Sequence, residues 1–399
     1  MLEIKKDIYW LGIVDYASKE FHGYSLSPQG TTYNSYLLKD KKNVLFDTVK
    51  TGHASEYIRI LKQHIEPEKI DYIVVNHLEL DHAGVLPEII ALCKPEKVFC
   101  SVTGKQTMEA IFDTTGWPIV AVKTGDSIST GEHTISFLEA KMLHWPDSMF
   151  SYIPEKKLLI SNDAFGENIA SSERFTDEIP RHVLDHAMNE YYHNIILPYS
   201  ARVQAVLKQV AEMNLDIDMI APDHGLIIRG KDEIAHVLEL YSAYAEQKTK
   251  ARAVVLYDTM WDSTAAMANA IVEGIAAAGI SVRAMHLKQH HHSEVMSEVA
   301  HCGLVVVGSP THNNGVLPDV AAMMRYMIGL KPKNRLGAAF GSYGWSGEAS
   351  KQLHEQLAAA GFDMPVEPLK TLYVPKEAVL QQCVEMGKTL GEALKAKVG

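Results

Sequence analysis

The chain has 399 residues, 47% hydrophobic and 22% charged, an ordinary composition for a folded protein of two or three domains. Asp and Glu outnumber Lys and Arg by 49 to 38, for a net charge of −11, and no dense Lys/Arg run occurs, which argues against a nucleic-acid partner. No apolar stretch reaches the ~18 residues a membrane span needs, and the N-terminus MLEIKKDIYW lacks a signal architecture.

Along the chain, short strands are predicted at 8–14, 32–38 and 43–47. Strands at 70–76, 97–100, 135–143, 157–162 and 217–221 follow, with helices at 55–64, 86–93, 105–112 and 201–213. A helix at 233–247 carries Ile234, Val237, Leu238, Tyr241 and Tyr244 at helical spacing. The polar stretch 246–252 then divides a mixed α/β domain, 1–249, from a second domain, 250–399. In the second, strands at 253–257, 281–287, 303–308, 335–340 and 366–373 alternate with helices at 264–278, 293–301, 318–329 and 348–360, before a C-terminal helix. That alternation predicts a doubly wound parallel sheet. Cys93, Cys100, Cys302 and Cys383 are too widely spaced for a CxxC motif and read as reduced thiols in a cytoplasmic protein. The run His290, His291 and His292 reads as a solvated loop.

Chemistry concentrates first in Asn76-His77-Leu78-Glu79-Leu80-Asp81-His82, directly after a buried strand. If extended, His77, Glu79 and Asp81 would point to one side, with His82 added by a turn. The pattern recurs at other predicted strand ends: His144 after 135–143, Asp163 after 157–162 and His224 after 217–221. Carboxyl ends of strands are where α/β proteins build sites. Seven ligand-type residues are too many for one metal ion and suit two, with a carboxylate such as Asp163 bridging. Any single histidine among them could be a bystander in the core or at the surface, a reading that fits all seven residues together poorly.

A second cluster of loops lies beyond residue 250. Asp258-Thr259-Met260-Trp261-Asp262-Ser263-Thr264 enters a helix, where backbone N–H groups and the dipole favour a phosphate. No Gly-Lys-Ser signature accompanies it, so a triphosphate loop is not indicated. Ser309-Pro310-Thr311-His312-Asn313-Asn314-Gly315 and Ser342-Tyr343-Gly344-Trp345 follow two further strands, with Trp261, Tyr343 and Trp345 placed to stack on a flat ring.

The HxExDH run followed by a distant His, Asp and His resembles the metallo-β-lactamase superfamily, whose hydrolases usually read HxHxDH and often bind zinc. Here the second histidine is Glu79, a hard anionic ligand that favours an ion cycling to a trivalent state. With Asp81 and Asp163 it offsets three of the four charges of two ferrous ions. The second half resembles flavodoxin in all three loops, so FMN is the cofactor implied. Together HLELDH, LHWPDS, SND, PDHG, TMWDST, SPTHNNG and GSYGWSGE resemble the flavodiiron (A-type flavoprotein) family over essentially the whole chain. The resemblance implies a metallo-β-lactamase-like αββα domain followed by a flavodoxin-like doubly wound parallel sheet. It implies reduction of dioxygen to water, nitric oxide to nitrous oxide, or both, at a non-haem diiron site fed by FMN.

By the same resemblance, His77, Glu79 and His144 hold one iron and Asp81 and His224 the other. Asp163, with an oxo or hydroxo group, bridges them. His82 matches a position that in some relatives is displaced from the metal. His22 and Tyr191 match a histidine and a tyrosine of the substrate pocket, although a capping histidine and a core tyrosine would also explain them. A separate donor, rubredoxin, and a head-to-tail homodimer or dimer of dimers are the expected partners. Two other classes compete: a zinc-dependent hydrolase with an appended flavodoxin, and an electron-transfer protein with a vestigial metal site.

Overall fold

The structure is a computed structural model and describes residues 2–398. The chain divides into two compact units. One is built from residues up to 23, 27–191 and 199–245; the other from 24–26, 192–198 and 246 onward.

Two large sheets form the body of the first unit, beside a two-stranded pairing of Ile13–Asp15 with Thr31–Tyr33. One has seven strands in the order Leu2–Lys5, Ile8–Trp10, Tyr36–Leu38, Asn43–Phe46, Ile70–Val75, Lys97–Ser101 and Ile119–Val122. The other has six: Ser127–Ser129, Thr134–Glu139, Met149–Ile153, Leu158–Ile160, Met219–Ala221 and Ile228–Arg229. Alternation along the strands decides what each face covers. Tyr36, Leu38, Val44, Phe46, Val74 and Phe99 share one core with Ile135, Phe137, Met149, Ile153, Leu158 and Ile160, so the two sheets face each other. Leu37, Leu45, Ile73, Val75, Val98 and Cys100 point the other way, beneath the helices Ala54–His64, Leu86–Cys93 and Val102–Ile111. Helices Ser200–Glu212 and Lys231–Ala245 lie over Leu159 and Ile220 of the second sheet, completing four layers.

The second unit is a five-stranded parallel sheet in the order Ser281–His286, Lys250–Tyr257, Cys302–Gly308, Leu336–Tyr343 and Leu369–Leu372. Its first strand begins at Lys250, inside the stretch expected to be polar connection. The strand predicted at 335–340 runs on to Tyr343 and carries flavin-loop residues with it. The histidine run is not a freely solvated loop. His291 accepts the Ser293 N–H as N-cap of helix His292–His301, His290 lies 3.1 Å from Glu294, and His292 meets the Tyr24 carbonyl.

Helices Ser263–Ala277 and Glu377–Val398 pack through glycine. A Cβ on Gly274 would lie 2.0 Å from the Val384 carbonyl oxygen, and one on Gly387 2.2 Å from that of Ile271. Both neighbours are backbone, so the helices would have to separate. Gly387→Ala should therefore destabilise the second unit by about 1–3 kcal/mol, read as a lower midpoint in urea unfolding; an unchanged midpoint would show that the crossing tolerates a methyl group.

Candidate metal and flavin sites

Backbone turns gather the seven ligand-type residues of the first unit. Strand Ile70–Val75 ends into Asn76 and His77, where Asp47, at the end of the neighbouring strand, accepts the Asn76 N–H and side-chain amide, both at 2.7 Å. The ligand run is not extended throughout. A helical turn, Leu80–Ala83, starts after Glu79, whose carbonyl accepts the N–H groups of His82 and Ala83. Asp81 and His82 therefore leave from that turn rather than alternating along a strand. His144 does not close a strand either. The strand expected at 135–143 stops at Glu139, and Ala140–Ser148, Met142–Trp145 and Leu143–Ala140 hydrogen bonds fold the rest into a loop. Asn162, with φ 45°, turns the chain so that Asp163 faces inward. His224 follows the strand Met219–Ala221, and its Nδ1 lies 2.6 Å from the Thr32 carbonyl.

These turns converge on Asp163. Its Oδ2 lies 3.3 Å from His77 Nε2 and 3.0 Å from His144 Nε2. Its Oδ1 lies 3.0 Å from His82 Nε2 and 3.4 Å from His224 Nε2. Glu79 Oε2 joins the first side, 3.2 Å from His144 and 3.4 Å from His77; Asp81 Oδ2 joins the second, 3.2 Å from His224. Two groups of metal-ligand type result: His77, Glu79, His144 and Asp163, and Asp81, His82 and His224.

The residues fit cations by an independent criterion. Asp163 Oδ1, Asp81 Oδ1 and the Nε2 atoms of His82, His144 and His224 are buried without a hydrogen-bond partner, a costly condition unless something else binds them. Electrostatics agree. Burial opposes charge on Glu79, yet His144, His22 and His77 outweigh it and hold the carboxyl well below its usual range. Asp163 is likewise held low against burial, by His82, His144 and His77. Against burial, Asp81 and Asp163 raise His82 to about 10, and Asp163 and Glu79 raise His144 to about 8. The cluster favours positive charge at its centre, and two divalent ions would supply it.

His22 and Tyr191 lie beside this cluster. His22 Nε2 is 2.8 Å from Glu79 Oε1, and its side chain is 18% exposed. The Tyr191 hydroxyl is buried without a hydrogen-bond partner, and its ring lies 6.0 Å from that of His224. Sequence reading passed over Asp147, in the loop with His144, although its Oδ2 is 3.1 Å from His77 Nδ1. Its only signal was an acidic residue three positions after His144.

In the second unit a cavity of about 360 Å³ opens between the three loops. Thr259, Met260, Trp261, Ser263, Pro310, Thr311, Ser342, Tyr343, Gly344 and Trp345 line it, as expected from the sequence. Trp261 and Trp345 are 88% and 86% exposed, two aromatic faces open to a flat partner. Seven other expected contacts do not line the cavity. Asp262 is the left-handed N-cap of helix Ser263–Ala277, and the buried Thr264 hydroxyl is 3.0 Å from that of Ser342. Ser309 Oγ accepts the Leu317 N–H. His312 and Gly315 close a turn on each other around Asn313 and Asn314. Tyr373 and Val374 line the cavity and were missed, because they follow an edge strand whose loop has no glycine bracket.

Comparison with known proteins agrees with this division. A family described as ODP family beta lactamase matches residues 31–225, and the flavodoxin family matches 255–387. The first unit thus has a metallo-β-lactamase-like fold and the second a flavodoxin fold. The chain is 49% identical to rubredoxin-oxygen oxidoreductase of Megalodesulfovibrio gigas, covering 97% of this chain and 96% of the relative. It is 43% identical to nitric oxide reductase of Moorella thermoacetica, covering 97% of each. Among solved structures, rubredoxin oxygen:oxidoreductase from Desulfovibrio gigas superposes with a TM-score of 0.98 at 48% identity, over 100% of this chain and 99% of that one. The flavodiiron protein from Giardia intestinalis superposes with a TM-score of 0.95 at 29% identity, over 99% and 97%. With nearly half its residues shared across almost the full length of a relative, and lactamase-type and flavodoxin matches in succession, the chain belongs to the flavodiiron protein family.

Proposed function

We propose that the chain is an oxidoreductase that reduces dioxygen to water, nitric oxide to nitrous oxide, or both, using two non-haem irons and FMN. The observation that carries this reading is the two-sided Asp163, whose oxygens each face a separate pair of imidazoles. On this reading His77, Glu79 and His144 hold one iron, Asp81, His82 and His224 face the other, and Asp163 bridges. Thr259, Met260, Trp261, Ser263, Pro310, Thr311, Ser342, Tyr343, Gly344 and Trp345 receive FMN, with Tyr373 and Val374 at its edge. Two ferrous ions and reduced FMN together supply the four electrons that take dioxygen to water.

The protein's own groups do the rest. Glu79, Asp81 and Asp163 offset positive charge in a site where water offers little screening. His22, partly exposed and hydrogen-bonding distance from Glu79, provides a route by which solvent protons reach the buried centre. The Tyr191 hydroxyl is free to donate to a bound diatomic molecule. The relatives are named as an oxidoreductase and a reductase, which favours redox chemistry over zinc-dependent hydrolysis.

Rubredoxin is the electron donor this reading favours, and the cytoplasm its location; among the described residues no helix is long and apolar enough to cross a membrane. The domain division at 249/250 and a head-to-tail dimer, in which one chain's FMN serves its partner's irons, complete the proposal. Exposed apolar side chains around the cavity, including Met260, Leu372, Tyr373 and Val374, support burial of that rim in an assembly.

Purified protein should contain two irons and one FMN per chain and, once reduced, consume dioxygen or nitric oxide. Stoichiometric zinc after expression in iron-replete medium would refute this. Glu79→His should move metal preference from iron toward zinc while leaving FMN content unchanged, as metal analysis can establish; unaltered iron content and gas reduction would contradict the role given to Glu79.

Transfer between chains is tested by mixing subunits. His144→Ala with Asp163→Ala removes iron from one chain, and Ser263→Ala with Thr264→Ala, verified to be free of FMN by its absorbance, removes the flavin from the other. Each homodimer should be inactive, and a mixed dimer should regain turnover through its one intact pair. A mixed dimer verified by mass spectrometry yet inactive would exclude transfer between chains.

A further inference from the structure

The far sides of the imidazoles in the metal cluster are backed differently. His77 Nδ1 faces Asp147 Oδ2 at 3.1 Å, and the same oxygen accepts the Leu78 N–H at 2.8 Å. Asp147 is buried, its Oδ1 has no hydrogen-bond partner, and its one ion pair among the described residues is with His77. The Ser101 hydroxyl donates to the Asp147 carbonyl at 2.7 Å, fixing the loop that carries it. On the other side of Asp163, His224 Nδ1 faces a neutral acceptor, the Thr32 carbonyl, at 2.6 Å. His82 Nδ1 has no hydrogen-bond partner, and the nearest carboxylate oxygen paired with it, Asp223 Oδ2, is 3.9 Å away. A carboxylate oxygen at hydrogen-bond distance therefore stands behind His77 and not behind His224 or His82.

We propose that Asp147 is a positioning residue that makes the two irons unequal. By accepting the Nδ1 proton of His77 it fixes Nε2 as the ligand atom and makes that nitrogen more basic. The iron on the Glu79, His77 and His144 side is consequently bound more tightly, and its ferric state is favoured over that of its neighbour. This inference rests on the diiron reading, and it concerns which iron is held harder, not which gas is reduced.

The test is Asp147→Asn, which keeps an oxygen for the Leu78 N–H and removes the charge. Chelator competition on the holoprotein should release one of its two irons at a roughly 10–100-fold lower chelator concentration than in wild type, the other iron being unaffected. Redox titration followed by Mössbauer spectroscopy should show one ferric/ferrous couple shifted upward, and FMN content and melting temperature should not change. Asp147→Glu, which retains the charge, should recover at least part of the lost affinity. Loss of both irons together, loss of neither, or loss accompanied by a lower melting temperature would overturn the proposal. So would an Asp147→Glu variant no better than Asp147→Asn. A wild-type protein that holds two irons and reduces neither gas would defeat the functional reading alone, since iron release is measured independently of turnover.

Discussion

Everything in the first unit answers to one constraint: an ionised carboxylate, Asp163, sits with its side chain 2% exposed at the meeting point of four imidazoles. Charge buried this deeply is tolerable only when it is paired from all sides. The pairing is divided, one oxygen to each side, and Glu79 and Asp81 repeat the division. A single cation would serve one half and leave the other without a partner, because the ligand-type atoms fall into two separate groups. The geometry that makes the cluster costly without cations is therefore the geometry that makes it a two-ion site.

The sheets exist, in this view, to bring four chain segments to one point without exposing them. Asp47, Asn76 and Ser151 form a buried polar layer beneath the ligands: Asn76 binds Asp47 through its amide, and the Ser151 hydroxyl donates to Asn76 Oδ1 at 2.7 Å. Behind His224, Thr32 accepts the imidazole through its carbonyl and the Gly225 N–H through its hydroxyl, at 2.6 Å each. Such supports leave the ligands few alternative rotamers, which is how a site keeps its geometry through changes of charge.

Much of this was legible in the sequence, and the failures have physical causes. The flavodoxin-type unit obeys a regular period, so its alternating strands and helices were read with ends within a few residues. The seven ligand-type residues were legible because their types are expensive to bury anywhere else. What could not be read was local geometry after the strands. The apolar run from Ile135 to Leu143 looks like a single strand, but turn hydrogen bonds within 140–148, from the Ala140 N–H to the Ser148 carbonyl and from the Leu143 N–H to that of Ala140, fold its second half into the loop that delivers His144. Likewise Glu79 both ends the extended segment and accepts two helical N–H groups, a choice no alternation pattern reveals. Tyr373 and Val374 were missed because edge strands have weak signatures, and the mid-loop residues His312, Asn313 and Asn314 lie outside the cavity lining, in a turn whose chemistry looks like ligand chemistry.

The contrast between the two sites follows from what each must hold. The metal cluster is buried and charge-dense, so its residues are fixed by hydrogen bonds from behind, and sequence reveals their types before their arrangement. The cavity of the second unit is shallow and aromatic, with Trp261 and Trp345 largely exposed. Such a surface gains little from exact polar placement and much from area covered. Its specificity must then come from the enclosed end, where Ser263 opens a helix of fifteen residues and the hydroxyls of Thr264 and Ser342 meet below the loop. A flavin would be anchored by its phosphate there and left open at its ring. An open ring edge suits a group that passes electrons to one partner and receives them from another, whereas a buried one would suit chemistry confined to the flavin itself.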